Sequence, residues 1–368
     1  MSIHGIAILG AGNGGAAAAA DLTLRGYDVR LYSRSEKTLQ PIKQRGGIEL
    51  REGKKKDFAR PRLVTSKIDA AVADAELIMI VAPASAHAEL VAALAPHLRD
   101  DQMVFLNPGH TGGSLHVANL LRRAGIKATI SLGETVTLTY ICRSAGPAQV
   151  EIYRRTTHLA CAAFPGNSTP YFVRDLRAIY PGIVAAHNVL ETGISNINAI
   201  MHPAGMIGNA GRIQTRGGDF YFYREGITPA IANVIDTVDR ERLKIVARLG
   251  LPARSFVELF YQAGLTTENA RTSGSVYEAI RESVPNRTIK SPPTLDHRYL
   301  HEDVGYGLVP ISEIGRFAGI ETPAIDALVT VASEMNRIDY RREGLTLDKM
   351  GLGAITLENL SALLQAGF

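Results

Sequence analysis

The feature that most constrains the fold is a glycine-rich loop near the start of the chain. The loop reads Gly10-Ala11-Gly12-Asn13-Gly14-Gly15 and directly follows the apolar run Ile3–Leu9. Glycines spaced as GxGxxG permit a tight turn from strand to helix, and they let a pyrophosphate approach the free N–H groups of the helix start. The loop therefore predicts a parallel sheet with a dinucleotide site, to which we assign Gly10, Gly12, Asn13, Gly14 and Gly15.

The first half of the chain alternates short β-branched runs with stretches of helical period. This order is expected of a Rossmann-type, doubly wound α/β sheet. We expect this domain to span residues 1–185. The expected strands are Ile3–Leu9, Asp28–Tyr32, Leu77–Ala82, Met103–Asn107, Ala128–Gly133, Val150–Ile152 and His158–Phe164, and the expected helices are Gly14–Arg25, Ser85–Leu98 and Gly113–Ala124.

The strand signal fades in the second half, where long stretches have helical period. A chain of 368 residues exceeds what one core usually supports, so we expect a mostly helical second domain at residues 186–368. Its clearest helices are Val189–Asn209, Pro229–Leu249 and Pro323–Asn336. Gly264–Leu295 resembles a long loop, with a short helix inside Ser275–Glu282 as the alternative.

Composition excludes several classes of protein. The formal net charge of +4 is too small for a nucleic-acid-binding surface, and we interpret Lys54-Lys55-Lys56 as a solvated loop between strands. The two cysteines, Cys142 and Cys161, show no zinc or disulfide spacing, so we expect no metal and a reducing compartment. Without a signal peptide or a membrane-length apolar run, the expectation is a cytoplasmic protein with neither a membrane nor a nucleic-acid partner.

The end of the second expected strand bears on which dinucleotide is bound. NAD-binding sheets place an acidic residue there to hold the ribose hydroxyls, but this chain continues from Tyr32 into Ser33 and Arg34. A hydroxyl and a guanidinium suit a 2′-phosphate, so the sequence favours NADPH over NADH. The alternative is that Arg34 is a solvated loop residue and both cofactors are used. Pro83, just after the strand Leu77–Ala82, is expected to line the same cofactor site.

The second half also places polar residues within apolar stretches. His202 ends one helical stretch, and Asn198 lies four residues upstream on the same expected face. Arg298 and Asp303 lie in a second polar segment. Each feature also has a purely structural interpretation. His202 could be a core histidine whose hydrogen bonds are all made within the protein, and Arg298 and Asp303 could form a surface ion pair.

Together with the glycine loop, these segments resemble the octopine/nopaline dehydrogenase family, the opine dehydrogenases, from residue 3 to about residue 350. The resemblance implies a histidine–aspartate pair at His202 and Asp303 and an arginine, Arg298, that binds a substrate carboxylate. It also implies substrate contacts from Glu134 and Thr135. The segments that carry it are Asn107–Gly113, Gly133–Thr135, Met201–Ala204 and Arg298–Leu308.

The resemblance implies an enzyme of amino acid metabolism that reductively condenses an amino acid with a 2-keto acid such as pyruvate, and also catalyses the reverse oxidation. His110 stands on the keto-acid side, where some relatives carry glutamine. The chemistry needs an arginine fork for a carboxylate and a histidine to move a proton near neutral pH, and Asp303 would orient that imidazole. The amino acid, the keto acid and the oligomeric state, including a homodimer, stay open.

Two other classes of protein remain as alternatives. One is a reductase of the same architecture that resembles ketopantoate reductase or glycerol-3-phosphate dehydrogenase; these place a lysine in the active-site helix, whereas this chain has His202. The other is a dinucleotide-binding protein without turnover, which would need no proton donor.

Overall fold

The computed structural model describes residues 3–368. The chain forms two compact units, of which unit 1 contains the residues up to Gly109 together with Gly113–Val189 and Ala362–Phe368. Unit 2 contains His110–Gly112 and Leu190–Ser361. The chain thus passes between units after Val189, whereas the sequence predicted a division after residue 185 and placed the last residues in the helical half.

The main sheet of unit 1 has eight strands in the order β12-β11-β8-β7-β6-β1-β2-β5. Neighbouring strands are parallel, except that β11 runs antiparallel to β8. The Rossmann-type expectation is therefore confirmed. These strands are β1 (Gly5–Leu9), β2 (Asp28–Tyr32), β5 (Leu63–Thr65), β6 (Leu77–Ile80), β7 (Met103–Leu106), β8 (Ser131–Thr135), β11 (Leu159–Phe164) and β12 (Ile183–Ala185).

A second sheet of unit 1 has four strands in the order β4-β3-β10-β9. The sequence predicted only the centre of β10. It interpreted Lys54-Lys55-Lys56 as a loop, but Lys55 and Lys56 begin β4 and pair with Glu52 and Arg51. The strands are β3 (Ile48–Glu52), β4 (Lys55–Ala59), β9 (Tyr140–Gly146) and β10 (Gln149–Arg155).

The first helix of unit 1, α1 (Asn13–Leu24), packs against strands of both sheets. Its run of small side chains, Ala17–Ala20, is fully buried, and small side chains permit this close approach. The other helices of unit 1 are α2 (Glu36–Arg45), α3 (Ile68–Val72), α4 (His87–Leu94), α5 (Gly113–Arg123) and α6 (Thr169–Arg177).

Unit 2 is helical, as expected. The predicted continuous helix Val189–Asn209 is wrong, because the Asn196 side chain accepts a hydrogen bond from the Asn198 N–H and starts a new helix there. The helices are α7 (Val189–Ile194), α8 (Ile197–Gly208), α9 (Ala210–Arg216), α10 (Pro229–Arg248), α11 (Phe256–Gln262), α12 (Glu268–Ser273), α13 (Val276–Arg281), α14 (Arg298–Asp303), α15 (Val309–Phe317), α16 (Pro323–Asn336), α17 (Tyr340–Glu343) and α18 (Leu357–Ala366), the last ending in unit 1.

Two short π-helical turns, Phe222–Gly226 and Val304–Leu308, complete unit 2. The expected loop Gly264–Leu295 contains α12 and α13. Helix α13 confirms the alternative of a helix inside Ser275–Glu282, whereas α12 was not predicted. Among residues 3–368, no helix combines the length and the apolar character that crossing a membrane requires.

Candidate active site

The glycine loop has the geometry of a phosphate-binding turn. A Cβ at Gly10 would lie 2.1 Å from the Val81 carbonyl oxygen, and one at Gly15 would lie 1.8 Å from the Gly10 carbonyl oxygen, so packing requires both glycines. A Cβ at Gly12 would meet no atom within 4 Å. Gly12 is also the N-cap of α1 and offers no side chain to its first N–H groups. The space above Gly12 is therefore open to a ligand, and these residues fit a dinucleotide pyrophosphate.

The other residues assigned to the dinucleotide lie on the same unit. Asn13 is exposed in the first turn of α1, and the exposed Pro83 precedes a short 3-10 helix that leads into α4. Ser33 and Arg34 follow β2, as expected. The guanidinium of Arg34 is exposed and forms an ion pair with the exposed carboxylate of Glu89, a contact that the sequence did not predict.

In unit 2, His202 and Asp303 meet although 101 residues separate them in sequence. The His202 Nδ1 and Asp303 Oδ2 atoms are 2.7 Å apart, and both side chains are buried. Helix α8 carries the histidine, and α14 ends at the aspartate. A carboxylate on Nδ1 fixes the tautomer and the orientation of an imidazole, which leaves Nε2 as the nitrogen that can exchange a proton.

Two tyrosines complete the surroundings of the His202 ring. Its Nε2 atom lies 2.8 Å from the hydroxyl oxygen of Tyr223, which in turn lies 3.2 Å from the hydroxyl oxygen of Tyr299. The Tyr299 ring stacks on the imidazole with 3.7 Å between ring centroids.

Arg298 begins α14 and forms an ion pair with Glu302, whose Oε2 atom lies 2.7 Å from Arg298 Nη2. The arginine side chain is 56% exposed, so much of its fork remains accessible to another anion. The second oxygen of Glu302, Oε1, lies 3.0 Å from His110 Nε2, and both of those side chains are buried. Burial lowers the pKa of His110, but the charges of Glu302 and Asp303 outweigh that effect and leave the pKa above its ordinary value.

His110, Glu302 and Asp303 also offer ligand atoms within 4.8 Å of one another, a spacing that could hold a metal ion. A metal ligand has to be a neutral imidazole, whereas the raised pKa of His110 favours its charged form. The neighbouring Arg298 adds a further positive charge. Both carboxylates of this cluster already pair with histidine or arginine side chains.

The remaining predicted substrate residues divide between the units. Thr135 and Glu134 are fully buried at the end of β8 in unit 1. Within residues 3–368, the Thr135 hydroxyl has no hydrogen-bond partner, whereas Glu134 Oε2 accepts the Ser114 N–H at the start of α5. Asn198 lies in the first turn of α8, one helical turn before His202, and is half-buried.

Four residues of these sites were missed, namely Glu302, Glu89, Tyr223 and Tyr299. For Glu302 a signal existed, because its spacing of four residues from Arg298 aligns the two side chains on a helix. Glu89 and Tyr223 are brought to their partners only by the tertiary fold.

Comparison with known proteins gives the family. Residues 185–336 match the model of the NAD/NADP octopine/nopaline dehydrogenase α-helical domain, and residues 6–137 match the model of ketopantoate reductase PanE/ApbA. In structure, the chain is similar to an octopine dehydrogenase in complex with NADH and L-arginine, with a TM-score of 0.78 at 19% identity over 99% of this chain and 98% of that one. It is also similar to an NADP⁺-bound yersinopine dehydrogenase, with a TM-score of 0.72 at 18% identity over 99% and 98%.

In sequence, the chain is 36% identical to the opine dehydrogenase of Arthrobacter sp. (strain 1C) over 98% of both chains. This match covers the glycine loop, the histidine–aspartate pair and the arginine alike. It confirms the resemblance that the motifs indicated: the chain belongs to the opine dehydrogenase family of nicotinamide-dinucleotide-dependent oxidoreductases.

Proposed function

We propose that this enzyme joins the amino group of an amino acid to the carbonyl carbon of a 2-keto acid and reduces the product to an N-(carboxyalkyl)amino acid. The observation that carries the proposal is the buried His202–Asp303 pair with Arg298 on the same helix as the aspartate. A simple binding protein has no use for a buried imidazole held by a carboxylate. Relatives named opine dehydrogenase support the same reaction.

The residues of unit 2 account for the condensation. Arg298 binds a substrate carboxylate through its exposed fork. His202 takes a proton from the substrate ammonium, the amine attacks the keto carbon, and the imidazolium returns that proton to the carbinolamine oxygen. A second proton then passes from the carbinolamine nitrogen through His202 to the same oxygen, which leaves as water and gives the iminium. Asp303 stabilises the imidazolium formed in each of these transfers.

Unit 1 supplies the site for the reductant. Gly12 and the uncapped start of α1 would hold the pyrophosphate. When bound, the reduced nicotinamide supplies the hydride that converts the imine to an amine.

The test is to follow the absorbance of the reduced cofactor with the purified enzyme. We expect consumption only when an amino acid and a 2-keto acid are present together. Consumption with the keto acid alone would contradict the proposal and favour the second candidate, a ketopantoate reductase-like enzyme, which the match of residues 6–137 supports. No consumption under any pairing, with cofactor binding intact, would favour the non-catalytic alternative.

We further propose that NADPH is preferred over NADH, with Glu89 as the residue that limits the preference. Ser33 and Arg34 offer a hydroxyl and a guanidinium where an acidic residue would hold a ribose. The carboxylate of Glu89 already pairs with Arg34. A 2′-phosphate therefore has to displace that carboxylate before it can bind the guanidinium.

Two variants separate these effects. Arg34→Ala should raise the KM for NADPH and leave that for NADH nearly unchanged, whereas Glu89→Gln should lower the KM for NADPH alone. Lys37→Ala, another exposed cation of the same region, is the control. Equal effects of Arg34→Ala on both cofactors would show that Arg34 does not read the 2′-phosphate.

We infer a cytoplasmic location from the cysteines. Both Cys142 and Cys161 are buried and unpaired. Free buried thiols are typical of proteins kept in a reducing compartment.

A further inference from the structure

We propose that Tyr223 and Tyr299 form the route by which His202 exchanges protons with its surroundings. The inference deepens the proposed function, since it concerns the same histidine. Neither tyrosine was assigned a role by the sequence motifs.

Both ring nitrogens of His202 have hydrogen-bond partners. Nδ1 of His202 is bonded to Asp303 at 2.7 Å, and Nε2 lies 2.8 Å from the Tyr223 hydroxyl oxygen. One face of the ring is covered by Tyr299, and the Phe222 ring lies edge-on to it. A proton leaves or enters an imidazole along the axis of a ring nitrogen, and Nδ1 is held by Asp303. Exchange of a proton between Nε2 and solvent therefore passes through the Tyr223 hydroxyl.

From Tyr223 the series of hydrogen-bonded groups continues to a more exposed residue. His202 and Tyr223 are buried, whereas Tyr299 is half-buried, so exposure increases along the chain of three groups. The hydroxyl oxygens of Tyr223 and Tyr299 are 3.2 Å apart, and either can donate to the other. The hydroxyl pair therefore links a buried imidazole to a half-buried tyrosine.

A tyrosine hydroxyl both donates and accepts a hydrogen bond, so it can pass a proton along the series. When the imidazole is neutral, Tyr223 donates to Nε2 and accepts from Tyr299. When the imidazole is charged, Nε2–H donates to Tyr223, whose own proton points to Tyr299. Passage of a proton along this chain moves one proton in at one end and one out at the other, with no change in the number of electrons.

Reductive condensation needs such a route. Formation of the iminium from an ammonium and a ketone releases water without net change in protons, but the secondary amine formed by hydride addition takes up one proton at neutral pH. One proton per turnover therefore enters from solvent. Both tyrosines act through His202 and are positioning residues in this sense.

The test compares Tyr223→Phe and Tyr299→Phe with the wild-type enzyme. Each change keeps the ring and removes only the hydroxyl. We expect Tyr223→Phe to lower kcat by about 10-fold to 100-fold, less than the roughly 10²–10⁴ of a general acid–base group itself, with little change in KM. The solvent deuterium isotope effect on kcat should rise, and Tyr299→Phe should have a smaller effect of the same kind. Tyr221→Phe, a tyrosine in the same segment that contacts Lys290 instead, is the matched control.

The pH profile of kcat distinguishes a relay from a structural role. The titratable groups that face His202 are Asp303, Tyr223 and Tyr299, with His297 in edge contact with the Tyr299 ring. Burial, with the nearby charges of Arg298 and His202, lowers the pKa of His297 to about 4, so that group stays neutral across the assay range. We expect Tyr223→Phe to displace the pH profile of kcat relative to that of the wild-type enzyme.

Two results would overturn the proposal. One is a Tyr223→Phe enzyme with wild-type kcat and isotope effect. The other is a loss of kcat with an unchanged isotope effect and pH profile, which would indicate a packing role. Turnover of the wild-type enzyme with both substrates is measured first, so failure of the relay is distinguished from failure of the proposed reaction.

Discussion

Arg298 divides its guanidinium between a buried carboxylate and solvent. Glu302 holds one side of the fork at 2.7 Å, while 56% of the side chain stays accessible. An arginine held in this way is oriented before the substrate arrives, which reduces the entropy lost on binding. In the proposed function, the N–H groups that do not face Glu302 bind the substrate carboxylate.

Replacement of Arg298 should weaken binding of the amino acid and leave binding of the dinucleotide unchanged. We expect Arg298→Ala to raise the KM for the amino acid by about 10-fold to 100-fold, the loss of one charge-assisted interaction, and Arg298→Lys to restore it only in part. Steady-state kinetics with varied amino acid measures both. If the unmodified enzyme used an amine without a carboxylate as well as the amino acid, this role of Arg298 would be wrong.

His110 should make stability depend on pH. The charges of Glu302 and Asp303 hold the pKa of His110 above its ordinary value of 6.5, against the effect of burial. A raised histidine pKa contributes stability that is complete below the unfolded pKa and is lost as pH rises through the folded pKa. The wild-type protein should therefore lose this contribution above pH 6.5.

The variant His110→Gln keeps an N–H donor but does not titrate. The free energy of unfolding of the wild-type protein minus that of the variant should decrease between about pH 6 and about pH 9, as measured by urea denaturation. His97→Gln, an exposed histidine of unit 1, is the control. A difference that stays constant or grows with pH would contradict the raised pKa.

At the residue scale, motifs predicted the pairing of His202 with Asp303 but not the partners of Arg298. The motif Arg298–Leu308 gives residue types, and the ion pair that the sequence offered for Arg298 was one with Asp303. Helix α14 starts at Arg298, so Glu302 lies one turn along on the same face, while Asp303 points to α8. The residue at which α14 starts decides which side chains share a face, and a helix of six residues is too short for its periodicity to show that start in the sequence.

Helix α8 depends on one cap. The Asn196 side chain accepts the Asn198 N–H, and the helix that begins there carries His202 less than two turns later. Its N-terminal position sets where the imidazole meets Asp303. A change at this cap should therefore affect both stability and catalysis.

We expect Asn196→Ala to lower the free energy of unfolding by about 0.5–2 kcal/mol, the usual loss for an N-cap. It should also lower kcat, because the first turn of α8 orients His202. The matched control is Ser255→Ala, which removes the N-cap of α11 and should lower stability by a similar amount without changing kcat. Equal kcat values for the two variants would show that the cap does not position the histidine.

At the element scale, strands were predicted where their residues form apolar runs and were missed where charged residues interrupt the apolar pattern. Strands β1 and β6 are wholly buried and apolar, so their runs were visible in the sequence. In β4 the residues Lys55, Lys56 and Asp57 are exposed or half-buried at a sheet edge, and the pattern is typical of a loop. The second sheet was missed because its edge strands bury little.

At the scale of the whole molecule, the two units carry different groups of the proposed active site. Unit 1 carries the glycine loop and unit 2 the buried histidine–aspartate pair and the arginine. The fold class followed from the order of strand and helix signals together with the glycine spacing. The assignment of residues 362–368 to unit 1 could not be predicted, because a C-terminal segment that returns to the first unit leaves no local pattern in the sequence.

The central claim is that a new bond forms between the amino nitrogen of one substrate and the keto carbon of the other. The most direct measurement is mass spectrometry of the products after incubation of the enzyme with a nitrogen-labelled amino acid, pyruvate and NADPH, across a panel of amino acids. We expect a single N-(carboxyalkyl)amino acid that retains the label, formed in an amount equal to the cofactor oxidised, and its absence with His202→Ala. Reduction of pyruvate to the hydroxy acid, with all the label left in free amino acid, would contradict the claim.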